Sequence, residues 1–184
     1  MTRRIVLVTS NPNKQREVER LLDRPLDAVD IDLPEIQAPT LEEITARKLA
    51  EARERVADAD LIVEDVSLGF DELGGFPGPY VRWLLESSGG EGLARIASGL
   101  ERRTALARCC LGFWDGRESH LFVGEQAGTI LTSPRGDRNF GWDPWFVPVG
   151  SANSYAEMTP ADKDEVSHRA RAYRMLLAYL RRPG

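Results

Sequence analysis

The sequence predicts an α/β fold built on a mixed, twisted β-sheet with flanking helices, and three observations lead there. An apolar strand near the N-terminus runs straight into an amphipathic helix, and a second strand and helix pattern follow, the mark of a βαβ start. Further on, two strand-like runs, Thr104 to Trp114 and Ser119 to Thr132, flank Asp115-Gly116 and read as an antiparallel hairpin. A hairpin after a βαβ start calls for a mixed sheet rather than a purely parallel one.

In chain order, Arg4 to Thr9 reads as a buried strand. Pro12 to Leu22 is an amphipathic helix capped by Asn11, with proline at its first position, where a missing N–H costs nothing. Val29 to Leu33 is a short strand stopped by Pro34, and Leu41 to Val56 has helical spacing. Leu61 to Val63 is a strand leading into Glu64-Asp65. A Gly/Pro-rich segment from Gly69 to Pro79 breaks regular structure; Tyr80 to Glu86 and Glu91 to Ser98 read as two helices. Residues 133 to 155 are loop-rich and aromatic. From the Thr159-Pro160 cap a helix is expected to run to Arg181, with Val166, Ala170, Tyr173, Leu177 and Leu180 as its apolar stripe.

With 184 residues and no repeat or linker, the chain is expected to be one domain over 1–184. A net charge of -5 argues against a nucleic-acid binder, so any polyanionic ligand must meet a local basic cluster or a metal. The apolar run Ile5 to Val8 is too short for a signal peptide, and no stretch approaches a membrane span of about 20 residues. Cys109 and Cys110 sit side by side in a strand, which suits core residues rather than a disulfide framework. A cytoplasmic protein without nucleic-acid or membrane partners is the expectation.

Lys14 breaks a local rule. It places a cation in the first turn of the helix, at the positive end of the dipole. A bound phosphate would turn that liability into a counter-ion, because a strand, a polar turn and a helix N-terminus form an anion site; Thr9, Ser10, Asn11 and Asn13 add donors around it. The other reading is a surface lysine paired with Glu17, one turn on. Asp65, at the end of an apolar strand, could bind Mg²⁺ through a hard oxygen or position a water, or could simply cap the next turn. Glu64 and Asp65 point to opposite faces, so only one should meet a ligand. Leu73 to Tyr80 packs three glycines and two prolines into eight residues, for close backbone approach or for a rigid turn. Phe140-Gly-Trp-Asp-Pro144 could stack a flat base or pack into a core. Glu35, Arg82, Lys163, Ser167, His168 and Arg169 complete the polar set.

Taken together, Thr9 to Lys14, Asp32 to Glu35, Glu64-Asp65, Leu73 to Tyr80, Phe140 to Pro144, Tyr155 to Met158 and Ser167 to Arg169 resemble the inosine triphosphate pyrophosphatase family. That family hydrolyses deaminated purine nucleotides. The segments follow the family order, and the Gly-Pro-Tyr form is similar to its eukaryotic-type branch. The resemblance implies two lobes around a central cleft, a homodimer, Mg²⁺ as cofactor, and conversion of ITP, dITP or XTP to the monophosphate and pyrophosphate. By the same resemblance Thr9, Asn11 and Lys14 hold the triphosphate, and Lys48 and Arg82 reach the phosphates. Glu35 and Asp65 are the metal ligands, with Asp65 also the general base. Phe140, Gly141, Trp142 and Asp143 surround base and sugar, with Lys163, His168 and Arg169 at that end. The alternatives are a related pyrophosphatase of standard or pyrimidine nucleotides, and a nucleotide-binding protein without hydrolysis.

Two positions depart from the family pattern. Val66 stands where Ser or Thr is usual, and Arg82 where lysine is common. At about 100° per residue, Lys163 and His168 would lie roughly 140° apart on one regular helix. Both could then serve one ligand only if that helix were irregular or met the ligand end-on.

Overall fold

The computed structural model describes residues 4–34, 36–137 and 141–181. Glu35 and Phe140, two of the expected site residues, lie outside the described residues. Strand β1 (Ile5–Val8) leads into α1 (Pro12–Leu22), then β2 (Asp27–Val29), α2 (Leu41–Arg55) and β3 (Asp60–Phe70). There follow β4 (Pro77–Gly78), α3 (Val81–Ser98), β5 (Thr104–Trp114), β6 (Ser119–Ile130), β7 (Phe146–Pro148), α4 (Pro160–Val166) and α5 (His168–Leu180). The strands form one sheet in the order β2-β1-β3-β5-β6-β7, with β4 paired to β3. Its β1 pairs are parallel, whereas the β3–β4 and β6–β7 pairs are antiparallel. The mixed α/β sheet expected from the sequence is therefore present. No helix among the described residues is long and apolar enough to cross a membrane.

Two compact units share the chain. The first comprises Met1–Asp65, Cys109–Gly124 and Arg169–Gly184. In it Val6, Val8, Leu61 and Val63 pack on Leu49 and Ala52 of α2. Each such buried valine or leucine side chain contributes about 1.5–3 kcal/mol. The second comprises Val66–Arg108 and Glu125–His168. Its core gathers Leu68, Phe70, Leu93, Ala97, Ile130 and the aromatic set Trp142, Trp145, Phe146 and Tyr155.

Several boundaries differ from the sequence reading. Strand β2 begins at Asp27 and ends at Val29, instead of running from Val29 to Leu33. The cause lies in α1: Glu19 Oε1 accepts from the Leu26 N–H at 3.1 Å, and Gln15 Nε2 donates to the Leu26 carbonyl at 3.2 Å. These side chains fix where the strand starts, and Ile31 and Leu33 then pack on the core without pairing in the sheet. Strand β3 continues to Phe70, so Glu64 and Asp65 lie mid-strand rather than at its end. Ion pairs to both carboxylates remove the reason for the strand to stop there. Gly89 (φ 64, ψ -173) interrupts α3 between the two helices expected. The C-terminal helix is not continuous: Ser167 is extended (φ -71, ψ 151) and separates α4 from α5. Along α5, Leu176 is buried and Leu180 is exposed, so the expected apolar stripe is shifted.

Candidate active site

The first unit contains a charged cluster built on β1, α1, α2, β3 and α5. At the β1–α1 turn, Asn11 Oδ1 accepts from the backbone N–H of Asn13 at 2.9 Å and of Lys14 at 3.3 Å. Thr9 Oγ1 accepts from the Asn11 N–H at 3.1 Å. The Asn13 and Lys14 N–H groups expected to face an anion are thus satisfied by the cap. Asn13 Oδ1 accepts in turn from Arg16. What this turn offers an anion is side chains: the hydroxyls of Thr9 and exposed Ser10, the Asn11 amide and Lys14.

Lys14 pairs with Glu64, Nζ to Oε1 3.3 Å, and not with Glu17. Glu17 belongs to Arg169, whose NH1 donates to its Oε2 at 2.7 Å. Arg169 Nε lies 3.1 Å from each oxygen of Glu64, and its NH2 lies 3.0 Å from Oε1. Arg169 and Glu64 are both 2% exposed. Burial opposes ionisation of Glu64, but the charges of Arg169 and Lys14 outweigh it and hold its carboxyl below the ordinary glutamate range. Burial likewise works against the Arg169 cation, and Glu17 and Glu64 more than restore it. The buried Cys109 thiol, 3.9 Å from Glu64, is pushed well up by burial and then by that carboxylate. Tyr173, from α5, is raised for the same two reasons.

Asp65 takes the opposite face of β3 and pairs with Lys48 of α2, Oδ2 to Nζ 2.8 Å. Its side chain is 20% exposed, which leaves a hard oxygen donor within reach of solvent. Both carboxylates of Glu64-Asp65 are therefore employed, one inward on Arg169 and Lys14, the other on Lys48. Among the described residues no three acidic, histidine or cysteine side chains converge as a metal centre. Asp65 itself fits Mg²⁺, which needs one or two protein carboxylates when phosphate oxygens supply the rest.

The second unit holds the other expected residues. Gly141 has a left-handed backbone (φ 49), which leads the chain into Trp142 and Asp143. Asp143 Oδ2 accepts from Lys163 Nζ at 2.6 Å, with both side chains nearly buried, and the ammonium sits 5.4 Å from the Tyr155 ring. Trp142 is buried, 5.3 Å from Phe146 and 5.2 Å from His168 between ring centroids. Core packing, rather than an open stacking face, describes Trp142. The break at Ser167 brings Lys163 and His168 onto one aromatic group despite their helical spacing, since both contact Tyr155. Val66 is half-buried on β3, where it offers no hydroxyl. Arg82 is exposed, its Nε 2.8 Å from Glu86, one turn along α3.

Sequence reasoning missed Glu17 and Glu64 as members of the site. Their signal was present only as spacing: Glu17 stands one turn after Lys14, and Glu64 alternates with Asp65. It also missed a group outside the site, in which Asp115 Oδ2 meets Tyr179 OH at 2.7 Å and His120 Nε2 at 3.0 Å.

Solved structures share this fold. The Ham1 protein of Staphylococcus aureus superposes with a TM-score of 0.80 at 24% identity, covering 96% of this chain and 98% of that one. A HAM1 protein of Coxiella burnetii gives 0.78 at 24% identity, with the same coverage. A nucleoside-triphosphatase / dITP/XTP pyrophosphatase of Mycobacterium abscessus gives 0.66 at 29% identity, covering 97% of this chain and all of that one. The Ham1 family profile matches residues 5–179, nearly the whole described chain. Matched over residues 5–179, the chain belongs to the Ham1 family.

Proposed function

We propose that this protein hydrolyses deaminated purine nucleoside triphosphates, ITP, dITP and XTP, to the monophosphate and pyrophosphate. The observation that carries the reading is the Lys48–Asp65 pair, 2.8 Å apart and close to solvent, in a chain of the Ham1 family. A relative at 29% identity is a dITP/XTP pyrophosphatase, which supports the same substrate class.

Thr9, Ser10, Asn11 and Asn13 bind the polyphosphate through side-chain donors, and Lys14 and Lys48 supply positive charge where it is needed during displacement at phosphorus. Arg82 contributes a further cation once it leaves Glu86. Asp65 orients the attacking water and accepts its proton, while Lys48 holds the carboxylate in place. Asp65, with Glu35, would hold Mg²⁺, which when bound neutralises phosphate oxygens. Phe140, Gly141, Trp142, Asp143, Lys163 and His168 form the base and sugar end.

Selectivity follows from hydrogen-bond polarity. Deamination replaces the amino donor at C6 of adenine with a keto acceptor. The guanidinium of Arg169, fixed by Glu17 and Glu64, is a rigid donor that suits the keto form. Adenine would set donor against donor, and an unpaired buried polar group can reject an analogue by ~10⁴. The enzyme acts as a cytoplasmic homodimer in this reading, which light scattering checks.

A substrate panel of ITP, XTP, dITP, GTP, ATP and dTTP with pyrophosphate detection, with and without Mg²⁺, tests the proposal. Preference for ITP and XTP, lost without the metal, is expected. Strong preference for dTTP, or release of inorganic phosphate instead of pyrophosphate, overturns it.

A further inference from the structure

Lys14 and Arg169, assigned above to opposite ends of the substrate, are tied to one buried carboxylate. Glu64 Oε1 lies 3.3 Å from Lys14 Nζ and 3.0 Å from Arg169 NH2. Together with Glu17 these side chains make a group of two cations and two carboxylates, so its formal charge is balanced. Its members are not equally accessible. Lys14 is 22% exposed, whereas Arg169 and Glu64 are 2% exposed. A polyanion arriving from solvent therefore meets Lys14 and leaves the inner three in place.

Lys14 has three N–H donors, so it can meet phosphate while it keeps its contact to Glu64 Oε1. That contact fixes the orientation of the buried carboxylate, which Arg169 grips through Nε and NH2. A carboxylate held from both sides in turn holds the guanidinium plane. Coupling of this kind is reciprocal, so a base that engages Arg169 also alters how firmly Lys14 is held.

We propose that Glu64 is a positioning residue that couples the phosphate contact of Lys14 to base selection by Arg169. It touches neither end of the nucleotide. The inference rests on the functional reading above, in which Lys14 meets phosphate and Arg169 meets the base.

The experiment measures kcat/KM for ITP and ATP in the wild type, Lys14→Met, Lys14→Arg, Glu64→Gln and the Lys14→Met/Glu64→Gln double variant. Circular dichroism confirms the fold of each. In Lys14→Met the ITP:ATP ratio should fall at least about fivefold, in addition to the rise in KM, although this lysine is assigned to phosphate and not to the base. Glu64→Gln should lower the ratio similarly, and the double variant should add nothing further. Lys14→Arg, which keeps a cation within reach of Glu64, should restore most of the ratio. A merely structural lysine would depress both substrates equally, so a ratio unchanged within about twofold in Lys14→Met overturns the coupling. If Glu64→Gln fails to fold, Lys14→Met and Lys14→Arg still decide the matter. Should the wild type favour a base other than hypoxanthine, the functional reading fails, and the coupling is scored on that base against adenine. A wild type with no base preference overturns both.

Discussion

The Lys48 ammonium lies 2.8 Å from the Asp65 carboxylate, joining the middle of α2 to the middle of β3. Neither side chain is at the surface, yet neither is sealed from water. That is the setting in which a carboxylate can be oriented by a fixed cation and still receive a water molecule. Asp65→Asn keeps the shape and removes the basic oxygen. Turnover should fall by about 10²–10⁴ while nucleotide still binds. Stopped-time assays for pyrophosphate, with calorimetry of ITP binding, check both halves, and full activity in the variant would refute Asp65 as the base.

Lys14 is the accessible member of the buried group, so its loss should weaken capture of the polyphosphate more than chemistry. For Lys14→Ala the expected result is a KM for ITP raised about tenfold with a smaller change in kcat. Steady-state kinetics at fixed ionic strength decide it. An unchanged KM would remove this lysine from the site.

Arg169 carries the greatest structural consequence. Arg169→Met leaves Glu17 and Glu64 without their shared cation in a buried place. Breaking a buried ion pair from one side costs about 3–5 kcal/mol, because the remaining charge is not solvated. Urea denaturation at neutral pH should show a loss of that size. A loss under about 1 kcal/mol would mean that water reaches the carboxylates in the variant.

Asp115 predicts behaviour in acid. Its partial burial works against ionisation, but the Glu118 N–H, the Tyr179 hydroxyl, His120 and the Arg117 N–H together outweigh it and hold the carboxyl well below its ordinary value. A carboxyl depressed in the folded state contributes stability that is complete above its unfolded pKa, about 3.9, and is lost as pH falls toward the folded value. The wild type should therefore exceed Asp115→Asn in stability at pH 7, and the gap should shrink below about pH 4. Denaturation curves at several pH values test this; a gap that grows on acidification would show that the hydrogen bonds favour the protonated form.

Local signals carried much of the fold. Helix α1 runs from Pro12 to Leu22 as expected, because Asn11, Pro12 and the apolar spacing all act within a few residues of one another. The same holds for β5, ended by the Asp115 turn, whose Oδ1 accepts from the Arg117 and Glu118 N–H groups. Lys14, Asp65 and Arg169 stand in short, ordered patterns of the sequence, and Lys48 entered through the family resemblance alone. What the pattern could not give was their partners. Lys14 looked equally able to meet Glu17, and only the parallel register of β1 with β3 and the approach of α5 assign Glu64 to Lys14 and Glu17 to Arg169.

The same division explains the break at Ser167. Serine is a favoured N-cap, but the apolar spacing of residues 160–180 does not show a break there; the extended Ser167 is what brings Lys163 and His168 onto Tyr155 together. The sequence by itself determined the class of fold, the ends of the elements with strong caps, and the motifs that resemble the family. The tertiary structure decided which charge neutralises which, where β3 could continue through two carboxylates, and which backbone N–H groups of the β1–α1 turn are satisfied by its cap. Capping and periodicity act over three or four residues, whereas the pairing of buried charges depends on packing between segments as far apart as Glu17 and Arg169.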